Sequence, residues 1–123
     1  MTLDVCKVHK YLLEHPSRSS VFPAWTDEQI LDTFEKSLAA GGAHVGVGDG
    51  DKIFGCVITF PHHDAGYLYV TAFFVEDRGF WPGVMQAMFE RYPYYHIAGR
   101  VGGKPIMLSN SFLRRQFLSN SRN

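Results

Sequence analysis

The stretch that decides the fold is residues 44–60, which read HVGVGDGDKIFGCVITF. Its first part alternates apolar residues with small or polar ones, and its second part is rich in β-branched and aromatic residues, as β-strands are. Between these parts, Asp49, Gly50 and Asp51 have the composition of a tight turn. Residues 44–60 are therefore predicted to form an antiparallel β-hairpin that turns at Asp49 and Gly50.

Two helices are predicted before this hairpin. Apolar residues recur at mostly helical spacing over residues 3–14, behind Thr2 as a candidate N-cap. Residues 15–24 indicate a loop, since they contain two prolines and three serines. The sequence TDEQ at 26–29 has the form of a capping box, and the glycine pair at 41–42 can end a helix in the left-handed conformation. The second helix is therefore bounded at both ends.

A buried strand and a third helix are predicted after the hairpin. Residues 67–75 read YLYVTAFFV, which is typical of a strand buried on both faces, so we expect this strand at the centre of the sheet. Residues 82–92 place apolar side chains on one side of a helix. The remaining elements are shorter: a strand over 94–100, an extended piece over 104–108, and a last helix capped by Ser109 or Asn110.

The order of these elements predicts the fold class. Two helices, a hairpin, a buried strand, a crossover helix, a strand and a terminal helix give the order α-α-β-β-β-α-β-α. This order predicts an α/β (α+β) fold in which one mixed, mostly antiparallel sheet is flanked by helices. With 123 residues, the chain is expected to form a single domain over residues 1–123.

Composition and charge exclude several classes of function. Twelve Lys and Arg balance twelve Asp and Glu, so the chain lacks the basic field that argues for nucleic acid as a partner. Two cysteines 50 residues apart do not make a disulfide framework and favour a reducing compartment. We find no apolar run of the length of a signal peptide or of a membrane span. These observations predict a cytoplasmic protein without a membrane partner.

Few polar clusters stand out as candidate sites. The sequence His62-His63-Asp64 is the most polar cluster, but adjacent histidines point apart on extended backbone and no third ligand follows. A solvated turn is therefore favoured over a metal site, and we predict no metal. Cys56 lies in a predicted strand, which favours a buried thiol over a nucleophile.

Two further features leave alternatives open. The segment 100–104 places two cations around a glycine-rich turn, which suits either a solvated basic edge or a contact with a phosphate. Tyr67 and Tyr69 lie on one face of the predicted central strand. They would line the core or a cleft, and Tyr69 is a candidate for a hydroxyl that acts on a substrate.

Several of these features together resemble the Gcn5-related N-acetyltransferases. Residues 44–57 are similar to the family's second and third strands, a hairpin whose Gly-containing turn is followed by a hydrophobic-x-Gly-x-hydrophobic stretch. Residues 68–75 resemble the fourth strand, residues 82–92 the helix after the pyrophosphate-binding turn, and residues 95–100 the fifth strand. The resemblance covers about residues 26–118 and consists of order and spacing.

The chain also departs from the family's pattern. The family's signature, Arg/Gln-x-x-Gly-x-Gly/Ala, is not intact, because Gly83 follows Arg78 by five residues. No first strand precedes the first helix, and the two strands that usually end the family's fold are missing. In these abbreviations the chain is similar to short acetyltransferase-like proteins encoded by bacteriophages.

The resemblance implies a reaction and a set of site residues. It implies acetyl-CoA as the cofactor and transfer of an acetyl group to an amine, on a small molecule or on a protein. The implied cofactor contacts are the backbone of Phe73, Phe74 and Val75 for the pantetheine, Arg78, Gly79 and Gly83 for the pyrophosphate, and Asn110 nearby. The reaction also needs a base. Glu76 is the nearest candidate in the sequence, and a water molecule is the alternative.

The same departures support a second hypothesis, a non-catalytic binding protein on the same fold. Such a protein would be inhibitory or associated with a virion. Missing strands would leave a sheet edge that a partner or a second copy of the chain could cover. Fold alone does not choose between these two functions.

Overall fold

The molecule is built on one five-stranded sheet, seen in a computed structural model that describes residues 4–76, 80–101 and 103–120. The strands lie in the order β1-β2-β3-β4-β5. Only β3 and β4 are parallel, and the other neighbours are antiparallel. The strands are β1 (Ala43–Val47), β2 (Ile53–His62), β3 (Tyr67–Val75), β4 (His96–Val101) and β5 (Lys104–Leu108).

Helices cover both faces of this sheet, which confirms the predicted mixed, mostly antiparallel sheet flanked by helices. The helices are α1 (Val5–Glu14), α2 (Arg18–Val21), α3 (Asp27–Ala39), α4 (Phe80–Arg91) and α5 (Asn110–Asn120). On the α1–α3 face, Val8, Leu12 and Phe34 are buried against the sheet. On the α4–α5 face, Met88 and Leu113 are buried against it.

The observed element order contains three elements that the predicted order lacks: α2, β5 and a 3-10 turn at Asp49–Asp51. The region 15–24 contains the single turn α2, in which the Phe22 amide donates to the Arg18 carbonyl at 2.7 Å. This turn brings Phe22 into the core, where it is buried. The extended piece at 104–108 is β5, and it pairs with β4 along its whole length.

The ends of the first two long helices were predicted with different success. Thr2 lies outside the described residues, and Asp4 is the N-cap of α1, its side chain accepting from the Lys7 amide at 3.3 Å. The capping box of α3 is confirmed. Thr26 Oγ1 accepts from the Gln29 amide at 3.2 Å, and Gln29 Oε1 accepts from the Thr26 amide at 2.8 Å. Gly41 has a φ of +77° after the last turn of α3, as predicted.

A bulge in β3 reverses the faces to which its side chains point. Ile58 pairs with Ala72, but Thr59 pairs with Val70, so Thr71 is an extra residue in β3. Such an extra residue shifts the alternation of side chains by one. Leu68 is therefore buried on the α4–α5 face, whereas Phe74 is buried on the α1–α3 face.

The expectation that residues 67–75 are buried on both faces is wrong for the end of the strand. The strand is central in the sheet, as predicted, but Phe73 is 45% exposed. Its side chain lies on the α4–α5 side beyond the bulge, where the sheet opens. The apolar residues at the end of β3 therefore line a cavity as well as the core.

Substitution of Gly50 tests the hairpin turn. Gly50 has a φ of +70°, and a Cβ there would meet no atom within 4 Å, so the cost of a side chain is conformational. A β-branched residue in this region costs about 1–2 kcal/mol, which lowers the melting temperature of a domain of this size by several degrees. We expect this loss for Gly50→Val and a smaller one for Gly50→Asn, measured by thermal denaturation. Equal melting temperatures for both variants and the wild type would contradict the turn.

Candidate functional site

The two parallel strands pair for only three residues and then diverge. Tyr67, Leu68 and Tyr69 of β3 pair with His96, Ile97 and Ala98 of β4. Beyond them β3 continues to pair with β2, and β4 with β5. The carboxyl ends of β3 and β4 therefore enclose a wedge-shaped opening, which we call the cleft. Openings at the carboxyl ends of parallel strands are common ligand sites.

The cleft is an apolar cavity of about 500 Å³. Its walls come from four elements on the two sides of the opening. They are Val70, Phe73 and Val75 of β3, Trp81 and Pro82 of α4, Ile97, Ala98, Gly99 and Arg100 of β4, and Ile106 and Leu108 of β5. The rings of Phe73 and Trp81 lie 5.5 Å apart at 34°. Among the described residues, Arg100 is the one cation of this lining.

The bulge at Thr71 explains why β3 contributes three side chains to the cleft. In a regular strand, residues 70 and 73 would point to opposite faces. Because Thr71 is the extra residue, Val70, Phe73 and Val75 all line the cleft.

The beginning of α4 is fixed beside the cleft by a glycine in β2. A Cβ on Gly55 would lie 2.5 Å from Cδ2 of Phe80, so only glycine lets the Phe80 ring rest on the strand. Phe80 is the first residue of α4, and the next two residues line the cleft. Gly55 is the glycine of the hydrophobic-x-Gly-x-hydrophobic pattern in the sequence. That pattern therefore allows α4 to pack closely against β2.

Glu76 follows β3 and is held by two side chains of the N-terminal region. Its amide donates to the Phe54 carbonyl at 3.1 Å, which prolongs the pairing of β2 and β3. Its Oε2 accepts from the Tyr11 hydroxyl, and its Oε1 lies in hydrogen-bond contact with His15 Nε2. His15 Nδ1 accepts from the Ser17 amide at 3.0 Å, so a neutral His15 carries its proton on Nε2 and donates it to Glu76.

Tyr11 remains a protonated donor in this cluster. Burial, the hydrogen bond to Glu76 and the charge of that carboxylate all raise the pKa of Tyr11 far above its ordinary value. The phenol therefore keeps its proton and points it at the carboxylate. His15, whose side chain is 13% exposed, and Tyr11 together fix the orientation of Glu76, whose side chain is 45% exposed.

A second cavity of about 570 Å³ lies beside this cluster, and we call it the α1 cavity. Its lining combines α1, the turn of the first hairpin and the end of β3. The charged members are Lys7, Lys10, Glu14, Asp51, Lys52 and Glu76, and the others include Tyr11, His15 and Ile53. Val75 lines the cleft and Glu76 lines the α1 cavity. Because these two residues are consecutive, their side chains point to opposite sides of the sheet, and the two cavities lie on opposite sides of it at the end of β3.

The other predicted site residues lie at several places. Phe73 and Val75 line the cleft, whereas the Phe74 side chain is buried in the core of the α1–α3 face. Tyr69 pairs with Ala98 at the closed end of the wedge, and its side chain is not among those lining the cleft. Gly83 lines a different cavity, of about 760 Å³, between β1 and α4.

The remaining cofactor predictions concern Asn110 and the loop before α4. Asn110 Nδ2 donates to the Pro93 carbonyl at 2.8 Å and to the Tyr95 carbonyl at 3.1 Å. Its amide group therefore joins the start of α5 to the loop before β4. Arg78 and Gly79 lie outside the described residues, so their predicted contact with a pyrophosphate stays a prediction.

The polar cluster after β2 makes local contacts with aromatic rings. His62 stacks on Tyr67 with ring centroids 4.6 Å apart, and His63 Nδ1 lies 2.6 Å from the Tyr95 hydroxyl. Within the described ranges, no group of three or more His, Cys, Asp or Glu could hold a metal ion. Burial raises the pKa of the Cys56 thiol to about 12, so Cys56 is the buried thiol that its sequence position indicated.

Sequence reasoning missed Tyr11 and His15. They stand four residues apart on the first helix and its cap, a spacing that places them on one side. That spacing is the one local signal for the pair. Their partner Glu76 is 65 and 61 positions away, and only the fold brings the three together.

Comparison with known proteins identifies no family. No protein-family model, curated protein or solved structure matches the chain. The resemblance to N-acetyltransferases therefore stays a prediction from the sequence. None of the described helices has the length and apolar character needed to span a bilayer.

The Tyr11–Glu76 contact predicts a particular dependence of stability on pH. The folded state keeps the Tyr11 proton at a pH where the unfolded chain, with a tyrosine pKa of about 10, releases it. The free energy of unfolding should therefore fall as pH rises above about 10, and it should fall less steeply in Tyr11→Phe. Urea denaturation at pH 9 and pH 11 measures this difference. Parallel losses in the two proteins would contradict the buried donor.

Proposed function

We propose that the protein binds acetyl-CoA in the cleft and transfers the acetyl group to an amine. The observation that carries this proposal is the divergence of β3 and β4 after three residue pairs, which leaves an apolar cleft of about 500 Å³ in the sheet. Small-molecule sites commonly have volumes of about 300–1,000 Å³ and apolar walls.

The open edge of β3 suits an extended ligand that contains amides. From Val70 to Val75 the strand has no ladder with β4, so backbone groups on that edge are available to a ligand. A pantetheine arm is extended and carries two amides, so it can bind there as a peptide adds to a sheet edge. The apolar side chains of Phe73, Val75 and Trp81 would surround the thioester end.

Arg100 supports binding of the phosphate groups. It is exposed, lines the cleft, and its Nη1 donates to the Gly103 carbonyl at 3.0 Å, which holds the side chain in place. The basic edge noted in the sequence therefore borders the cavity. A guanidinium in this position favours a phosphate contact at the mouth of the cleft.

Glu76 is the proposed proton acceptor. An ammonium group on the α1 side can give a proton to the carboxylate, whose orientation Tyr11 and His15 fix. Acetyl-CoA supplies the thioester: the amine nitrogen forms a bond to the acyl carbon, the carbon–sulfur bond breaks, and the nitrogen's second proton passes to the sulfur. Glu76 then returns its proton to solvent.

A second candidate function is a non-catalytic binding protein, and the edge strand β5 favours it. β5 ends the sheet, and its Met107 is 58% exposed beside the half-exposed Ile106. An edge strand with exposed apolar residues can add a strand of a partner or of a second copy. This function predicts association through β5 in the absence of any acyl-CoA.

Binding of acetyl-CoA is the decisive measurement. At a hundredfold excess over its dissociation constant, a ligand stabilises the folded state by about 2.7 kcal/mol, which raises the melting temperature by several degrees. We expect this shift for the wild type. Val75→Trp fills the cleft and should weaken binding at least tenfold, measured by calorimetry.

A matched control distinguishes loss of binding caused by filling the cleft from a general effect of introducing a tryptophan. Val47→Trp makes the same substitution at an exposed position of β1, two strands away from the cleft, and should bind as the wild type does. Release of the CoA thiol in the presence of primary amines would then measure transfer. If millimolar acetyl-CoA causes no shift in the wild type, the acyltransferase proposal is wrong and the binding-protein candidate replaces it.

A further inference from the structure

We propose that the α1 cavity is the acceptor site and that it takes a small primary amine whose other end carries a phosphate or a carboxylate. This inference deepens the proposed function and rests on it for the identity of the reaction. The binding site itself is inferred from the charges and hydrogen bonds that face the cavity.

Glu76 is the group that recognises the ammonium end. Each of its oxygens already accepts one hydrogen bond, Oε2 from Tyr11 and Oε1 from His15. A carboxylate oxygen can accept more than one, and the Glu76 side chain is 45% exposed. Tyr11 and His15 direct their protons at Glu76, so the cluster presents an acceptor to the cavity. A cationic hydrogen-bond donor therefore fits this end.

Three lysines line the same cavity as Glu76. Lys7 and Lys10 come from α1, and Lys52 comes from the far side of the hairpin turn. Within the described part of the chain, none of the three ammonium groups forms an ion pair, although Glu14 and Asp51 line the same cavity. The lining carries three lysines and three carboxylates, and lysines that form no ion pair can bind an anionic group of a ligand that also carries an ammonium group.

The geometry of α1 gives an approximate length for the ligand. Lys7 and Tyr11 are one turn apart on the helix, so their backbones are separated by about 6 Å. The flexible lysine side chains add reach. A spacer of about two to four methylenes between the ammonium and the anion matches this separation, as estimated from the rise of about 1.5 Å per residue.

The position of this site agrees with the proposed reaction. Glu76 lies in the α1 cavity, and its neighbour Val75 lies in the cleft. Because Glu76 and Val75 lie on opposite sides of the sheet, an amine bound at Glu76 would approach the thioester from the α1–α3 side, at the end of β3.

Binding of small probes without acetyl-CoA tests the site directly. The probes are 3-aminopropyl phosphate, propylamine, propyl phosphate and 4-aminobutyrate, titrated into the wild-type protein by NMR. We expect 3-aminopropyl phosphate to bind at least tenfold more tightly than propylamine or propyl phosphate, because it fills both ends. The amides perturbed should be those around residues 7–15, 50–53 and 76. Tighter binding of 4-aminobutyrate would identify the anion as a carboxylate and would also support the site.

Two variants test which residues bind the ammonium group and which bind the anionic group of the ligand. Glu76→Gln should weaken 3-aminopropyl phosphate about tenfold or more, in line with a hydrogen-bonded charge pair, and leave propyl phosphate unchanged. Replacing Lys7, Lys10 and Lys52 together with Gln should weaken both phosphates and leave propylamine unchanged. Lys36→Gln is the control, since Lys36 lies on α3, pairs with Asp32 at 2.9 Å and is absent from the cavity lining.

The outcomes distinguish this inference from the proposed function. If the probes bind as expected and acetyl-CoA does not, the site stands and the acyltransferase proposal is wrong. If the triple lysine variant loses acetyl-CoA but keeps 3-aminopropyl phosphate, the lysines bind the cofactor and the inference is wrong. Equal binding of the probes to the wild type, or none at millimolar concentration, overturns it without any variant.

Discussion

The rest of the structure depends on how β3 pairs with its two neighbours. Its ladder with β2 is nearly continuous, but it contains one extra residue, Thr71, and its ladder with β4 ends after Tyr69. The extra residue turns Phe73 and Val75 toward the α4–α5 side, and the early end of the second ladder opens the cleft in front of them. The same strand then delivers Glu76 to the opposite face. One strand therefore positions both cavities.

Most of the fold could be predicted because its signals are local. The alternation in residues 44–60, the capping box at Thr26 and the left-handed Gly41 each depend on a few neighbouring residues, and each is confirmed. The bulge at Thr71 has no local signal in the sequence. Nearly all residues of YLYVTAFFV are apolar, so their pattern does not show that the side chains change face within the strand. Exposure of Phe73 followed from that bulge, and so it was missed.

Less of the site could be predicted, because its groups come from distant parts of the sequence. Glu76 was expected from its place after the central strand, and the structure puts it in a cavity. Its donors Tyr11 and His15 are more than 60 positions away, and no spacing rule joins them to it. Asn110 was predicted to lie near the cofactor. In the structure its side chain donates hydrogen bonds to the backbone carbonyls of Pro93 and Tyr95.

The short ladder between β3 and β4 also has a mechanical consequence. It divides the sheet into two leaves, one of three strands and one of two, that share three residue pairs in place of a full-length seam. Backbone hydrogen bonds stiffen a sheet, so we expect the two leaves to move relative to each other more easily than the strands within each leaf. A molecule bound between the two leaves would restrict their motion relative to each other. Binding in the cleft should therefore make the whole sheet stiffer.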